Sequence, residues 1–216
     1  LVAAFGQILK KEVLSIRPII AVHPSLLPEY RGPSPIQSAI LNGKTETGTT
    51  LFLIDEKVDH GPIISQKSLA ISSQDNYESL EKKLAELNLK LLLETLPKWL
   101  KGEITPQIQD ESAATYTKKF TAESAEIKLS SLGPINPMDH KEAWLKIRAL
   151  NPEPGAWITV KLKNGRSLRL KLLEADFIND QLQLKTVQPE GKKPMDYKAF
   201  LNGYQKLFSV AENHGL

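Results

Sequence analysis

The sequence predicts an α/β unit followed by a small antiparallel β module, and three observations carry that expectation. Apolar segments at Leu1–Phe5 and Pro18–Val22 flank a helical stretch, Lys10–Ile16, in the strand, helix, strand order of α/β layers. Leu80, Leu84, Leu87 and Leu91 recur at helical spacing after a cap-like Asp75 and Glu78. Three short strand-like runs then follow one another near the C-terminus, divided by turn residues, as in a small barrel. A length of 216 residues fits one to two domains, and 41% hydrophobic with 25% charged residues is a globular composition. Disordered, collagenous and low-complexity classes are excluded.

Each element has a local cause. Leu1–Phe5 reads as a buried strand, which needs neighbours on both sides, so further strands are expected upstream. His23–Pro35 carries Pro24, Pro28, Pro33 and Pro35 and must be a loop. Ser34 before Pro35 is a cap and first-turn pair, predicting a short helix to Leu41. Thr47–Ile54 is β-branched and alternating, Asp55–Gly61 is a polar turn, and Ile63–Ile71 is a further strand. The leucine helix runs to Leu100 and Gly102. Periodicity is then lost, so residues 105–125 are expected to link a first domain, 1–104, to a second, 126–216. Asp139–Leu150 forms a helix stopped by Asn151-Pro152 and Pro154-Gly155. The strands Ala156–Leu162, Ser167–Leu173 and Gln181–Val187 are separated by turns at Lys163-Asn164-Gly165 and Asn179-Asp180.

Charge and residue inventory narrow the chemistry. With no cysteine there is no disulfide, zinc-thiolate site or cysteine nucleophile. No apolar run reaches the roughly 18 residues of a membrane span, so a cytoplasmic protein is expected. The net charge of +3 is uneven: residues 117–216 carry 16 Lys/Arg against 11 Asp/Glu. Lys161, Lys163, Arg166, Arg169 and Lys171 crowd one hairpin, and no acidic residue lies between Thr159 and Lys171. Such a hairpin suits a phosphate backbone, or is simply a solvated face. There is no phosphate-binding Gly-rich loop and no G-x-S-x-G elbow. His23 follows the strand Pro18–Val22, at the end where open α/β sheets place ligands. Asp59, in the second strand-end loop, could reach it and form an acid/base unit. His60 could instead pair with His23 on a metal, but the spacing matches no zinc pattern and no metal is expected. His140 and His214 are expected at the surface.

The stretch His23-Pro24-Ser25-Leu26-Leu27-Pro28-Glu29-Tyr30-Arg31-Gly32-Pro33, with Pro35-Ile36-Gln37 and later Asp55-Glu56-Lys57-Val58-Asp59-His60-Gly61-Pro62, resembles the folate-dependent formyltransferases. Arg31-Gly32, Pro35-Ile36-Gln37, Gln109-Asp110-Glu111 with Thr115-Tyr116, and Arg148-Ala149-Leu150-Asn151-Pro152 resemble the branch that acts on methionyl-tRNA. The resemblance implies the later part of a Rossmann-like formyltransferase domain followed by a small OB-like β-barrel that helps hold tRNA. It implies transfer of a formyl group from the co-substrate 10-formyltetrahydrofolate to the amine of initiator methionyl-tRNA by a monomeric enzyme. His23 would stabilise the oxyanion and shuttle a proton, and Asp59 would hold it charged. Ser25, Leu26, Leu27, Pro28, Gly6, Ile8, Leu9, Asp55, Glu56 and Val58 would line the folate site. Arg31 would join the basic hairpin on the tRNA. Two departures are visible. Ala21 stands where the family has an asparagine, and loss of one oxyanion donor typically costs about 10²–10³ in rate. The family also has strands and helices before the segment matching Leu1. A sugar or small-amine formyltransferase using the same folate site, or a non-catalytic folate- or RNA-binding relic, are the alternatives.

Overall fold

The computed structural model describes residues 1–2, 11–128, 137–162 and 165–204. It divides into two compact units, 1–119 and 120–216. Within the described residues, no helix is long and apolar enough to cross a membrane.

The first unit contains α1 (Lys11–Leu14), β1 (Ile20–His23), α2 (Pro35–Leu41), β2 (Glu46–Leu53), β3 (Ile63–Ala70) and α3 (Tyr77–Leu100). Its three strands are ordered β1-β2-β3 and both pairs are antiparallel. The turn from β2 to β3 is too short for the crossover a parallel pair requires. Val2 adds a parallel bridge to Ala21, with Val2 N donating to Ile20 O at 2.8 Å and Val22 N to Val2 O at 3.2 Å. Of the strand expected at Leu1–Phe5, Val2 makes this one bridge and Leu1 is exposed. Ala3–Phe5, like Gly6, Ile8 and Leu9, lie outside the described residues.

Strand alternation divides the apolar residues into two clusters. Ile20, Leu51 and Ile64 pack with Leu91 of α3, whereas Ala21 and Phe52 pack with Leu27 from the proline loop. The leucine stripe is core at Leu80, Leu84 and Leu91, but Leu100 is exposed. The cap of α3 lies one residue later than expected: Asn76 accepts from Ser79 N and Ser79 Oγ accepts from Asn76 N. Asp75 instead is buried, accepting from Ser72 N, Ser79 Oγ and Lys83 Nζ. Ser34 starts α2 without a side-chain cap bond. Of the segment expected as a linker, residues 105–119 belong to this unit and 120–125 to the second. Gln107 and Ile63 exchange backbone hydrogen bonds, and Arg31 N donates to Thr115 O while Thr117 N donates to Arg31 O.

The second unit contains α4 (Pro137–Leu150), β4 (Trp157–Lys161), β5 (Ser167–Ile178), β6 (Gln181–Pro189), β7 (Met195–Asp196) and α5 (Tyr197–Tyr204). Ala143, Ile147, Ile158, Val160, Leu170, Leu172, Val187 and Phe200 form its core. The expected closed barrel is not found among the described residues. Among the described residues the strands form an open antiparallel sheet ordered β4-β5-β6-β7, with no pairing that closes it. β5 runs on to Ile178 through irregular register between Leu172 and Ala175. Asn179 and Asp180, both in the left-handed region, make the turn to β6. His140 is not a surface residue: it is buried, and its Nδ1 accepts from Leu182 N at 3.1 Å. His214 and Lys163 lie outside the described residues.

Candidate active site

β1 ends at His23 and delivers its ring to a cavity of about 710 Å³. Alternation places Ala21 and His23 on one face of β1, and both line that cavity with Asp55, Glu56, Val58 and Asp59 from the β2–β3 loop. Phe52, Ile54, Ile36 and Leu84 supply apolar wall.

The imidazole orientation is set from both sides. Nε2 of His23 donates to Tyr30 O at 2.9 Å, since a carbonyl can only accept. Nδ1 then faces Asp59 Oδ2 at 3.5 Å. That nitrogen is the position at which a proton can be taken up or released. Asp59 Oδ2 in turn accepts from Gly32 N at 2.7 Å. Gly32 has φ +103, and a Cβ there would come within 3.0 Å of Thr117 Oγ1, so the close approach of its amide suits glycine. At Gly61, which closes the same loop, a Cβ would lie 1.8 Å from Leu53 O.

The expected folate residues divide. Asp55, Glu56 and Val58 line the cavity, but Ser25, Leu26, Leu27 and Pro28 are not among its lining residues. Those four support the proline loop. Ser25 Oγ donates to Glu29 O at 2.6 Å, Leu27 N donates to Thr50 Oγ1 at 3.1 Å, and Gln66 Nε2 donates to Leu27 O at 2.7 Å. His60 does not join His23. Its Nδ1 meets Asp55 Oδ2 at 2.5 Å and its Nε2 lies 3.4 Å from Glu111 Oε1. Among the described residues, no group of three His, Cys, Asp or Glu is arranged to hold a metal ion.

Arg31 corrects the expectation of a tRNA contact, because its side chain has no exposed surface. All five guanidinium N–H groups are used within the unit: Nε and one terminal nitrogen on Gln109 Oε1, the two terminal nitrogens on the Glu111 carboxylate, and one on Tyr116 OH. The hydrogen bond with Glu111 raises the guanidinium pKa further and holds Glu111 below the usual carboxylate range. No donor is left over for a phosphate.

Sequence reasoning missed the contribution of α3. Tyr77, Glu81, Leu84, Ala85 and Asn88 also line the cavity. Their i, i+4 and i+7 spacing was available, but the leucines marked the helix only as core.

In the second unit, register brings the predicted cations together. Trp157 pairs with Lys171, Thr159 with Arg169 and Lys161 with Ser167, so Trp157, Lys161, Arg169 and Lys171 share one face. The opposite face buries Ile158, Val160, Leu170 and Leu172. The Arg169 guanidinium stacks 3.6 Å from the Trp157 ring centroid. Arg166 is exposed at the turn.

Comparison with known proteins places the chain in a family. The formyl transferase family model matches residues 1–96. The methionyl-tRNA formyltransferase of Lactobacillus johnsonii is 37% identical over 97% of this chain and 71% of its own length. The fold is shared with methionyl-tRNA formyltransferase from Clostridium thermocellum (TM-score 0.61, 24% identity, 86% of this chain and 74% of that one). It is shared too with a sugar N-formyltransferase from a Shewanella species (TM-score 0.62, 22% identity, 86% and 69%). The chain belongs to the methionyl-tRNA formyltransferase family of one-carbon transferases.

Proposed function

We propose that this site moves a formyl group from 10-formyltetrahydrofolate to the amino group of initiator methionyl-tRNA, with His23 and Asp59 as the acid/base pair. The observation that carries the proposal is the His23–Asp59 contact of 3.5 Å at the cavity wall, with the other ring nitrogen committed to Tyr30. The folate fits what is present: Phe52, Ile54 and Val58 offer apolar wall, and the chain from Asp55 to Val58 offers backbone polar groups. Bound there, it supplies the activated formyl carbon. A protonated Nδ1 of His23 stabilises negative charge developing on the formyl oxygen. As the tetrahedral intermediate collapses, that nitrogen gives its proton to the departing nitrogen of tetrahydrofolate and, once neutral, takes up the proton released by the attacking amine. Asp59 balances the imidazolium charge in this half-buried setting. The cations of the β4–β5 face hold the tRNA backbone, and the reaction is placed in the cytoplasm of the cell by a monomer.

The test is formyl transfer to methionyl-tRNA by the chain and by His23→Gln and Asp59→Asn. Each variant should lose about 10²–10⁴ in kcat, the range for a positioned proton-transfer group. Full activity in a folded His23→Gln protein refutes the assignment. Transfer to an amino sugar in preference to methionyl-tRNA would favour the small-acceptor alternative.

A further inference from the structure

We infer that residues 109–117 are a clamp that sets the His23–Asp59 geometry, with Gln109 the positioning residue for Asp59 and Thr115 for Tyr30. The inference rests on the reading of His23 and Asp59 as the acid/base pair. Both groups that flank the imidazole come from residues with left-handed backbone: Tyr30 has φ +61 and Asp59 φ +48. Neither is glycine, so each conformation is unfavourable and persists only where its surroundings impose it.

The surroundings that impose it come from the same short segment. Gln109 Nε2 donates to Asp59 O at 2.9 Å and to Gly61 O at 2.8 Å, holding the backbone that leaves the strained residue. Thr115 Oγ1 accepts from Tyr30 N at 2.8 Å, and Thr115 O accepts from Arg31 N at 2.9 Å. The two grips are tied together through Arg31, which donates twice to Gln109 Oε1. Gln109 is thus saturated: its amide donates to the Asp59 loop and its carbonyl accepts from Arg31. It is buried, so water cannot substitute for either function. One side chain therefore couples the proline loop, whose Tyr30 carbonyl orients Nε2, to the β2–β3 loop, whose Asp59 faces Nδ1.

Gln109→Glu separates these functions, because it keeps an acceptor for Arg31 and removes both donors to the Asp59 loop. Gln109→Met removes both functions without adding charge. The reporter is the Gly32 amide proton in an NMR spectrum of the isotope-labelled chain, since that amide donates to Asp59 Oδ2. Asp59→Asn defines how far the resonance moves when the carboxylate is lost. Both Gln109 variants should move it in the same direction, and kcat for formyl transfer should fall by up to about 10²-fold with the folate KM nearly unchanged. A Gly32 resonance at its wild-type position in either folded variant overturns the clamp, as does a dichroism spectrum showing that both variants simply unfold. If Asp59→Asn moves the amide yet leaves kcat intact, the catalytic reading fails while the clamp stands.

Discussion

Replacing Arg31 by methionine tests whether this arginine is a strut of the first unit or a ligand for an external phosphate. Methionine keeps most of the aliphatic volume and removes five donors. Removing one partner of a fully buried ion pair costs about 3–5 kcal/mol. Here the Glu111 side chain is 55% exposed and its charge can return to water. Gln109 Oε1 cannot, and an unsatisfied buried acceptor costs about 1–3 kcal/mol. The expected loss is therefore about 2–4 kcal/mol, with Arg31→Lys between wild type and Arg31→Met because an ammonium keeps the charge but not the planar fork. Urea unfolding, followed by amide exchange in β2 so that the first unit alone is read, gives the number. The effect also has a pH signature. Glu111 is held below the usual carboxylate range, so the stability it contributes is present above the ordinary carboxylate pKa and is lost as pH falls through the depressed value. The gap between wild type and Arg31→Met should narrow in acid. A loss under about 1 kcal/mol, with tRNA affinity reduced instead, would refute the accounting and return Arg31 to the nucleic-acid surface.

Four further outcomes are expected. Ala21→Asn places an amide on the cavity face two residues before His23, and formyl transfer should rise by about 10²–10³, read as kcat at saturating folate. Tyr197 OH is buried without a partner among the described residues, and burial pushes its pKa up to about 12; Tyr197→Phe should stabilise the second unit by about 1 kcal/mol in a urea titration. Burial alone would raise the Asp75 pKa, but hydrogen bonds from Lys83, Ser72 and Ser79 together hold it below its ordinary value. Its contribution is accordingly complete above the unfolded carboxylate pKa and disappears as pH falls through the folded one, so Asp75→Asn should be destabilising at neutral pH and much less so in strong acid, by thermal melts across pH. Replacing Lys161, Arg169 and Lys171 by glutamine should lower the salt slope of tRNA binding by about 2–3, about 0.9 for each phosphate contact on duplex RNA if it behaves as duplex DNA does.

What was legible in the sequence was local. α2 begins at Pro35 and ends at Leu41 as its proline and its apolar spacing require, and His23 falls at a strand end because the apolar run Pro18–Val22 gives way there to the proline loop. Residues 105–119 are bound into the first unit for a reason that periodicity does not show. Gln107, Gln109, Glu111, Thr115 and Thr117 have no periodicity, so they read as a linker. Their partners are Ile63, Arg31, Asp59 and Tyr30, some 44 to 86 residues away in sequence. A polar side chain buried by a distant polar partner leaves no pattern along its own segment. Closure of a barrel is not legible for a related reason: three alternating runs establish antiparallel strands, but closure depends on which edges pair, and alternation says nothing about edges.

Two arginines show how donor accounting decides what residue type leaves open. Arg31 sits in a recognisable motif and looked like a ligand for phosphate, yet every one of its five N–H groups is spent on Gln109, Glu111 and Tyr116 inside the first unit. Arg169 belongs to the basic hairpin that the sequence offers to a phosphate backbone, with a solvated face as the alternative. Its guanidinium carbon sits over Trp157, 3.6 Å from the ring centroid, on a face shared with Lys161 and Lys171 and opposite a fully apolar one. Stacking orders the guanidinium in advance while consuming none of its in-plane hydrogen-bonding directions, which is the condition for meeting a phosphate at low entropic cost. The buried arginine should therefore govern stability and the placement of Asp59, and the stacked one should govern the salt dependence of binding. Exchanging those outcomes, with Arg31→Met altering only the salt slope and Arg169→Gln only the unfolding midpoint, would invert the assignment of both units.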